Sequence, residues 1–198
     1  LESSGDDPQL FPVVFRARFG DASSVRTYAR AHPIKPGTDL RSGRTVPIDR
    51  VAYRFGNIRA IKSNEFDAGQ YPEIVGMVVL AFEDNGTSDF DISSIVHRFR
   101  RMLERELQGL IGRWDVIGGA PAMQRSVNRL VERLTPTGWQ ILGAVIDSGF
   151  DPDLPVGLQV VTFLTVDPDD PPAFFASAAA STGVPFLQPT LFSWDSRA

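Results

Sequence analysis

The sequence predicts an α+β fold, an antiparallel or mixed sheet with helices packed on one face, and three observations carry that reading. Residues 92–108 place Ile92, Val96, Phe99, Leu103 and Leu107 at steps of three and four, the spacing of an amphipathic helix. Residues 10–19, 73–82 and 158–166 are runs of strand length rich in Val, Ile, Leu and Phe. Strands and helices do not alternate strictly, which disfavours a parallel doubly wound sheet.

In chain order, residues 1–9 read as a disordered leader and 10–198 as one globular domain. The first residue is Leu rather than Met, which points to a partial or processed chain. Val13, Phe15 and Ala17 alternate with Val14, Arg16 and Arg18 in a half-buried strand. Asp21 reads as the N-cap of a short helix over 22–31, with Val25, Tyr28 and Ala29 facing inward and His32-Pro33 ending it. Pro33, Pro36, Gly37, Gly43 and Pro47 make 32–49 a long loop. Residues 51–61 form one strand bulged at Gly56, or a hairpin turning at Gly56-Asn57. The 73–82 run is apolar at almost every position, as in a central strand covered on both faces.

After the 92–108 helix, residues 114–117 suit a short strand, and Gly118-Gly119-Ala120-Pro121 opens a second helix over 121–134. Pro136-Thr137-Gly138 is expected to break the chain before a strand at 139–146. An acidic turn over 147–157, the 158–166 strand, a second acidic turn at 167–172, a small helix at 173–181 and an edge strand at 185–194 complete the chain. This order is compatible with two abutting ferredoxin-like, split βαβ units, 10–117 and 112–198.

Composition narrows the chemistry. The 198 residues include no Cys and only His32 and His97, which excludes disulfides, thiolate metal sites, thiol nucleophiles and multi-histidine centres within this sequence. No run reaches the roughly 18 apolar residues of a membrane span, and the first residues lack the pattern of a secretory signal, so a soluble protein with no membrane partner is expected. The net charge of −4 argues against a dedicated nucleic-acid binder. Charge is unevenly placed: residues 91–134 carry eight basic against five acidic residues, and 135–198 carry one against seven.

Four groups of residues invite a functional reading. Arg98, Arg101 and Arg105 form one stripe at helical spacing and Arg125, Arg129 and Arg133 another; such stripes neutralise phosphates, or pair with Glu104, Glu106 and Glu132 on a solvated or subunit-contacting face. Asp147, Asp151 and Asp153, with the turn at Asp167, Asp169 and Asp170, offer hard oxygen ligands for a divalent cation, although Asp in turns more often shapes the backbone. Gly118-Gly119-Ala120-Pro121 matches neither a P-loop nor a dinucleotide fingerprint. Phe186, Phe192 and Trp194 make the apolar tail a last strand or an arm that anchors on a neighbouring subunit.

These features implicate no cofactor. They favour a non-enzymatic protein-binding or structural subunit of a homo-oligomeric assembly, of the kind found in virions and tails, or an immunity-type inhibitor. A metal- or carboxylate-dependent hydrolase is the alternative, and a nucleic-acid module using the two arginine stripes the second. The sequence does not indicate a cellular location.

Overall fold

The computed structural model describes residues 7–18, 20–37, 46, 61–67, 73–83, 89–112, 119–146, 155–165, 167, 169 and 170. Its elements are β1 (Pro8–Arg18), β2 (Asp21–Ala29), α1 (Ser63–Asp67), β3 (Glu73–Glu83), α2 (Asp89–Ile111), α3 (Gly119–Ile146) and β4 (Pro155–Leu164). The strands form one antiparallel sheet in the order β2-β1-β3-β4. The α+β class and the helices on one face are as the sequence predicts. No helix among the described residues is long and apolar enough to cross a membrane.

β1 is central because it is apolar on both faces. Its inner row, Phe11, Val13, Phe15 and Ala17, aligns with Leu80, Val78, Gly76 and Ile74 on β3. Val25 from β2 and Leu158 from β4 extend the same layer. Onto it α2 lays Ile92, Ile95, Val96, Phe99, Leu103, Leu107 and Ile111, and α3 adds Leu130, Leu134, Ile141, Leu142 and Val145. The other face of the sheet is apolar too, with Val14, Val75, Val79 and Ala81 all buried, so β3 is covered on both sides as its sequence implies.

One close approach fixes the middle of the sheet. The ring of Phe15 lies across Gly76, its register partner, so that a Cβ built on Gly76 falls 2.2 Å from Phe15 Cζ. The glycine is therefore required by packing, the ring occupying the volume that a side chain would need.

Two predicted elements are corrected. Residues 22–31 do not form a helix: Asp21–Ala29 is the edge strand β2, joined to β1 by a tight hairpin in which Gly20 adopts φ 74°. The inward residues are Val25 and Thr27, two apart, while Tyr28 is 46% exposed. The Asp21 signal was a turn signal. Its Oδ1 accepts from Ser23 N at 3.0 Å and Ser23 Oγ at 2.6 Å, and Ser24 Oγ, which accepts from Arg18 N, donates to Asp21 O.

Likewise 139–146 is not a strand, and Pro136-Thr137-Gly138 does not end the helix. α3 runs unbroken with Pro136 inside it. Pro136 is on an exposed side of the helix, so the carbonyl that its missing N–H leaves without a donor lies on the solvent side. Gly138 is buried against β4, a Cβ there meeting Leu158 Cδ1 at 3.0 Å, so the glycine permits a close helix-sheet approach. Without the 22–31 helix and the 139–146 strand, neither ferredoxin-like unit has its expected succession among the described elements. The strands proposed at 51–60, 114–117 and 185–194 and the helix at 173–181 lie outside the described residues.

Two outcomes are expected. Gly76→Ala should cost about 2–3 kcal/mol in urea unfolding, as overpacking does. In a double-mutant cycle with Phe15→Leu the two costs should be strongly non-additive, because the smaller side chain vacates the space. Separately, hydrogen bonds from Ser23 hold the exposed Asp21 carboxyl below the usual aspartate range. A depressed carboxylate stabilises the fold above its unfolded pKa, and that contribution is lost as pH falls through the folded value. An NMR titration should place Asp21 low in the wild type and move it up toward the ordinary value in Ser23→Ala.

Candidate functional site

The two flanks of α2 meet different neighbours, because residues at steps of three and four share a side of the helix. On one flank Arg100 and Glu104, a turn apart, hold the edge strand β2. Arg100 Nη1 donates to Thr27 O at 3.1 Å, and Thr27 Oγ1 donates to Glu104 Oε2. Nearer the start of α2, Ser93 Oγ donates to Ala31 O at 3.0 Å.

This clasp closes the sheet at β2. Leu10 exchanges backbone bonds with Ile34, so even-numbered residues of β1 direct their backbone groups toward the β2 side. Their partners on β2, Arg26 and Tyr28, point back. The carbonyls of Ser23, Val25 and Thr27 therefore face the open edge. Arg26 Nη1 donates to Ser23 O and Val25 O, each at 2.7 Å, and Arg100 takes Thr27 O. Three successive edge acceptors are thus occupied by guanidinium groups and are not offered to an incoming strand.

On the opposite flank Arg98, Arg101, Met102 and Arg105 line a shallow groove of about 410 Å³ with Ala144 and Val145 of α3. Its walls are cationic and its floor is apolar. The three predicted arginines of α2 are therefore gathered at one place. Arg101 and Arg105 are exposed, one turn apart, and have no hydrogen-bond or ion-pair partner among the described residues.

The surface pairs that the sequence suggested for them do not form. Glu104 turns to Thr27, while Glu106 and Glu132 stand exposed without an ion pair. Carboxylate pairing occurs elsewhere: Glu73 receives Arg16 at 2.6 Å and lies 3.8 Å from Arg18 across β1 and β3. Arg125, Arg129 and Arg133 are also exposed and have no ion pair among the described residues, but they are not part of the groove. Arg133 precedes Ala144 by eleven residues, roughly 16 Å along the helix axis.

Other candidates resolve differently. Asp147, Asp151, Asp153, Phe186, Phe192 and Trp194 lie outside the described residues. Among the described residues no group of three His, Asp or Glu is arranged to hold a metal ion. Asp167 Oδ1 accepts from Asp169 N at 3.0 Å and Asp170 Oδ1 accepts from Ser63 Oγ at 2.7 Å, while the Asp169 carboxylate has no partner among the described residues. His32 and His97 are both exposed. On α3, Trp139 is 44% exposed.

Sequence reasoning missed the roles of Arg100 and Glu104. Their i, i+4 spacing placed them beside the core stripe, but only the position of β2 says what lies there. It missed the groove floor as well, since Ala144 and Val145 were read as strand residues.

Comparison with known proteins finds no matching family model, no matching curated protein and no matching solved structure.

Removing the clasp has a defined consequence. Arg26→Ala with Arg100→Ala uncovers the three edge carbonyls and should cost about 1–2 kcal/mol. The double variant should also scatter light on heating earlier than the wild type, because an open edge templates strand pairing. Unchanged aggregation at equal loss of stability would show that the edge is blocked by other means.

Proposed function

We propose that the protein acts by binding another protein chain, as a non-catalytic subunit of an assembly, and that the α2–α3 groove is the contact. One observation carries this reading: Arg101 and Arg105 stand unpaired beside an apolar floor of Met102, Ala144 and Val145. Arginine and methionine around an apolar centre are the composition of protein interfaces. Two arginines at i, i+4, neither paired with a carboxylate among the described residues because Glu104 between them accepts from Thr27 instead, repel each other at a cost of about 0.2–0.5 kcal/mol that an acidic partner would reverse. A guanidinium, planar and weakly hydrated, suits that role better than an ammonium.

The same unpaired arginines support a second reading, a nucleic-acid contact that adds Arg125, Arg129 and Arg133 along α3. The apolar floor and the net charge of −4 favour a polypeptide.

Fluorescence anisotropy separates the two. A labelled peptide of alternating Glu and Leu should bind the wild type and lose at least tenfold in affinity with Arg101→Glu/Arg105→Glu, with the circular dichroism melt unchanged. A single-stranded oligonucleotide of the same charge should bind much more weakly. Tighter binding of the oligonucleotide, with affinity falling steeply as salt rises, would transfer the site to the second reading. Indifference to both ligands would overturn the groove as a binding site.

A further inference from the structure

Resting on that reading, we propose that the groove's partner is a second copy of this chain, which presents its exposed Asp169 and Asp170 to Arg101 and Arg105 in a head-to-tail contact.

The chain separates its charges between these two regions. The 91–134 stretch that supplies the groove arginines has a basic excess of three, and 135–198 has an acidic excess of six. Within the acidic part, Asp167, Asp169 and Asp170 follow β4 closely, and Asp169 and Asp170 are exposed. Among the described residues no ion pair uses Asp169, and the carboxylate of Asp170 receives only the Ser63 hydroxyl. The turn is held in shape rather than neutralised: Ser63 N donates to Asp170 O, Asp167 N donates to Ile61 O, and Asp167 Oδ1 caps Asp169 N. A preformed turn loses little conformational freedom on docking.

One chain does not join the two patches. β4 ends at Leu164 opposite Ile74, which is also opposite Ala17, so the acidic turn follows the end of the sheet that carries the β1–β2 hairpin. The last turn of α2 lies at that same end, where Gly112 approaches Ala22. The groove opens instead on the outer surface of the helix pair, beside the last residues of α3. No ion pair among the described residues joins Arg101 or Arg105 to Asp169 or Asp170, so in this proposal the two patches meet between copies. A contact of this type uses two different surfaces and repeats from copy to copy, generating a ring or a filament according to the rotation between neighbours.

The test is a charge exchange read by size exclusion with light scattering. The wild type should exceed monomer mass at low salt and return toward monomer as salt rises, since screening shortens from about 10 Å at 0.1 M to about 3 Å at 1 M. Arg101→Glu/Arg105→Glu alone and Asp169→Arg/Asp170→Arg alone should each be monomeric. An equimolar mixture of the two variants should regain mass, because the acidic groove of one accepts the basic turn of the other. That recovery shows that both variants are folded. A wild type that is monomeric at its highest soluble concentration and low salt overturns the proposal, as does a mixture that stays monomeric. Either failure, beside intact binding of the Glu/Leu peptide, removes the second copy as partner and leaves the protein-binding reading standing; loss of peptide binding removes both.

Discussion

The inner row of β1 is the contact on which the other elements depend. Phe11, Val13, Phe15 and Ala17 are all at most 1% exposed, and the strand that carries them is paired on both sides. An α-helix laid on such a row must bring its own apolar stripe down against it, which fixes its rotation about its axis. For α2, once Phe99, Leu103 and Leu107 face the sheet, Arg100 and Glu104 are turned toward β2 while Arg98 and Arg105 are turned toward α3. The clasp at the edge strand and the basic groove are two consequences of one packing decision. A rotation of one residue, about 100°, would abolish both together.

This dependence also explains what could be read in advance. The strand at β1, the central strand β3 and the helix α2 are each dominated by a single apolar period over ten or more residues, and nothing in their flanks contradicts it. The errors fell where one local signal serves two structures. Asp21 accepting from the N–H two residues on is the bond of a helix N-cap and equally of an Asx turn. The choice was settled by Val25 and Thr27, β-branched and two apart, next to a partner strand whose proximity a local reading does not supply. In α3 the pair Pro136 and Gly138 resembled a break, yet the residues buried around it, Leu130, Leu134, Ile141, Leu142 and Val145, keep helical spacing throughout. A proline on the exposed side and a glycine on the packed side are both tolerated by a helix held from outside by its neighbours.

The arginine stripes were legible as patterns and illegible as surroundings. Periodicity placed Arg98, Arg101 and Arg105 on one side of α2, but whether Glu104 neutralised them depended on a competing partner. Thr27 won that competition because its hydroxyl sits on a nearly buried strand position where Glu104 can accept a hydrogen bond, whereas an exposed ion pair with an arginine is worth little. Arg101 and Arg105 are therefore left without a carboxylate partner among the described residues as a by-product of fastening the helix to the sheet. A basic surface whose potential acid has been drawn inward keeps its field for whatever approaches from solvent.

The same economy of arginine decides in which direction the molecule can associate. An edge strand with three free carbonyls would attract any extended segment, with little regard for side chains, and Arg26 and Arg100 remove that option at β2. Association through α2 and α3, as proposed, would be selective by comparison, since it would call for carboxylates at the spacing of Arg101 and Arg105 and an apolar group for the floor between them. Both arrangements spend guanidinium groups, one set turned onto the protein's own backbone and the other turned outward. The fold thus occupies the backbone acceptors at one edge while leaving Arg101 and Arg105 turned outward on the helix layer, so that any contact made there would be chosen by side-chain charge rather than by hydrogen bonds that any strand can make.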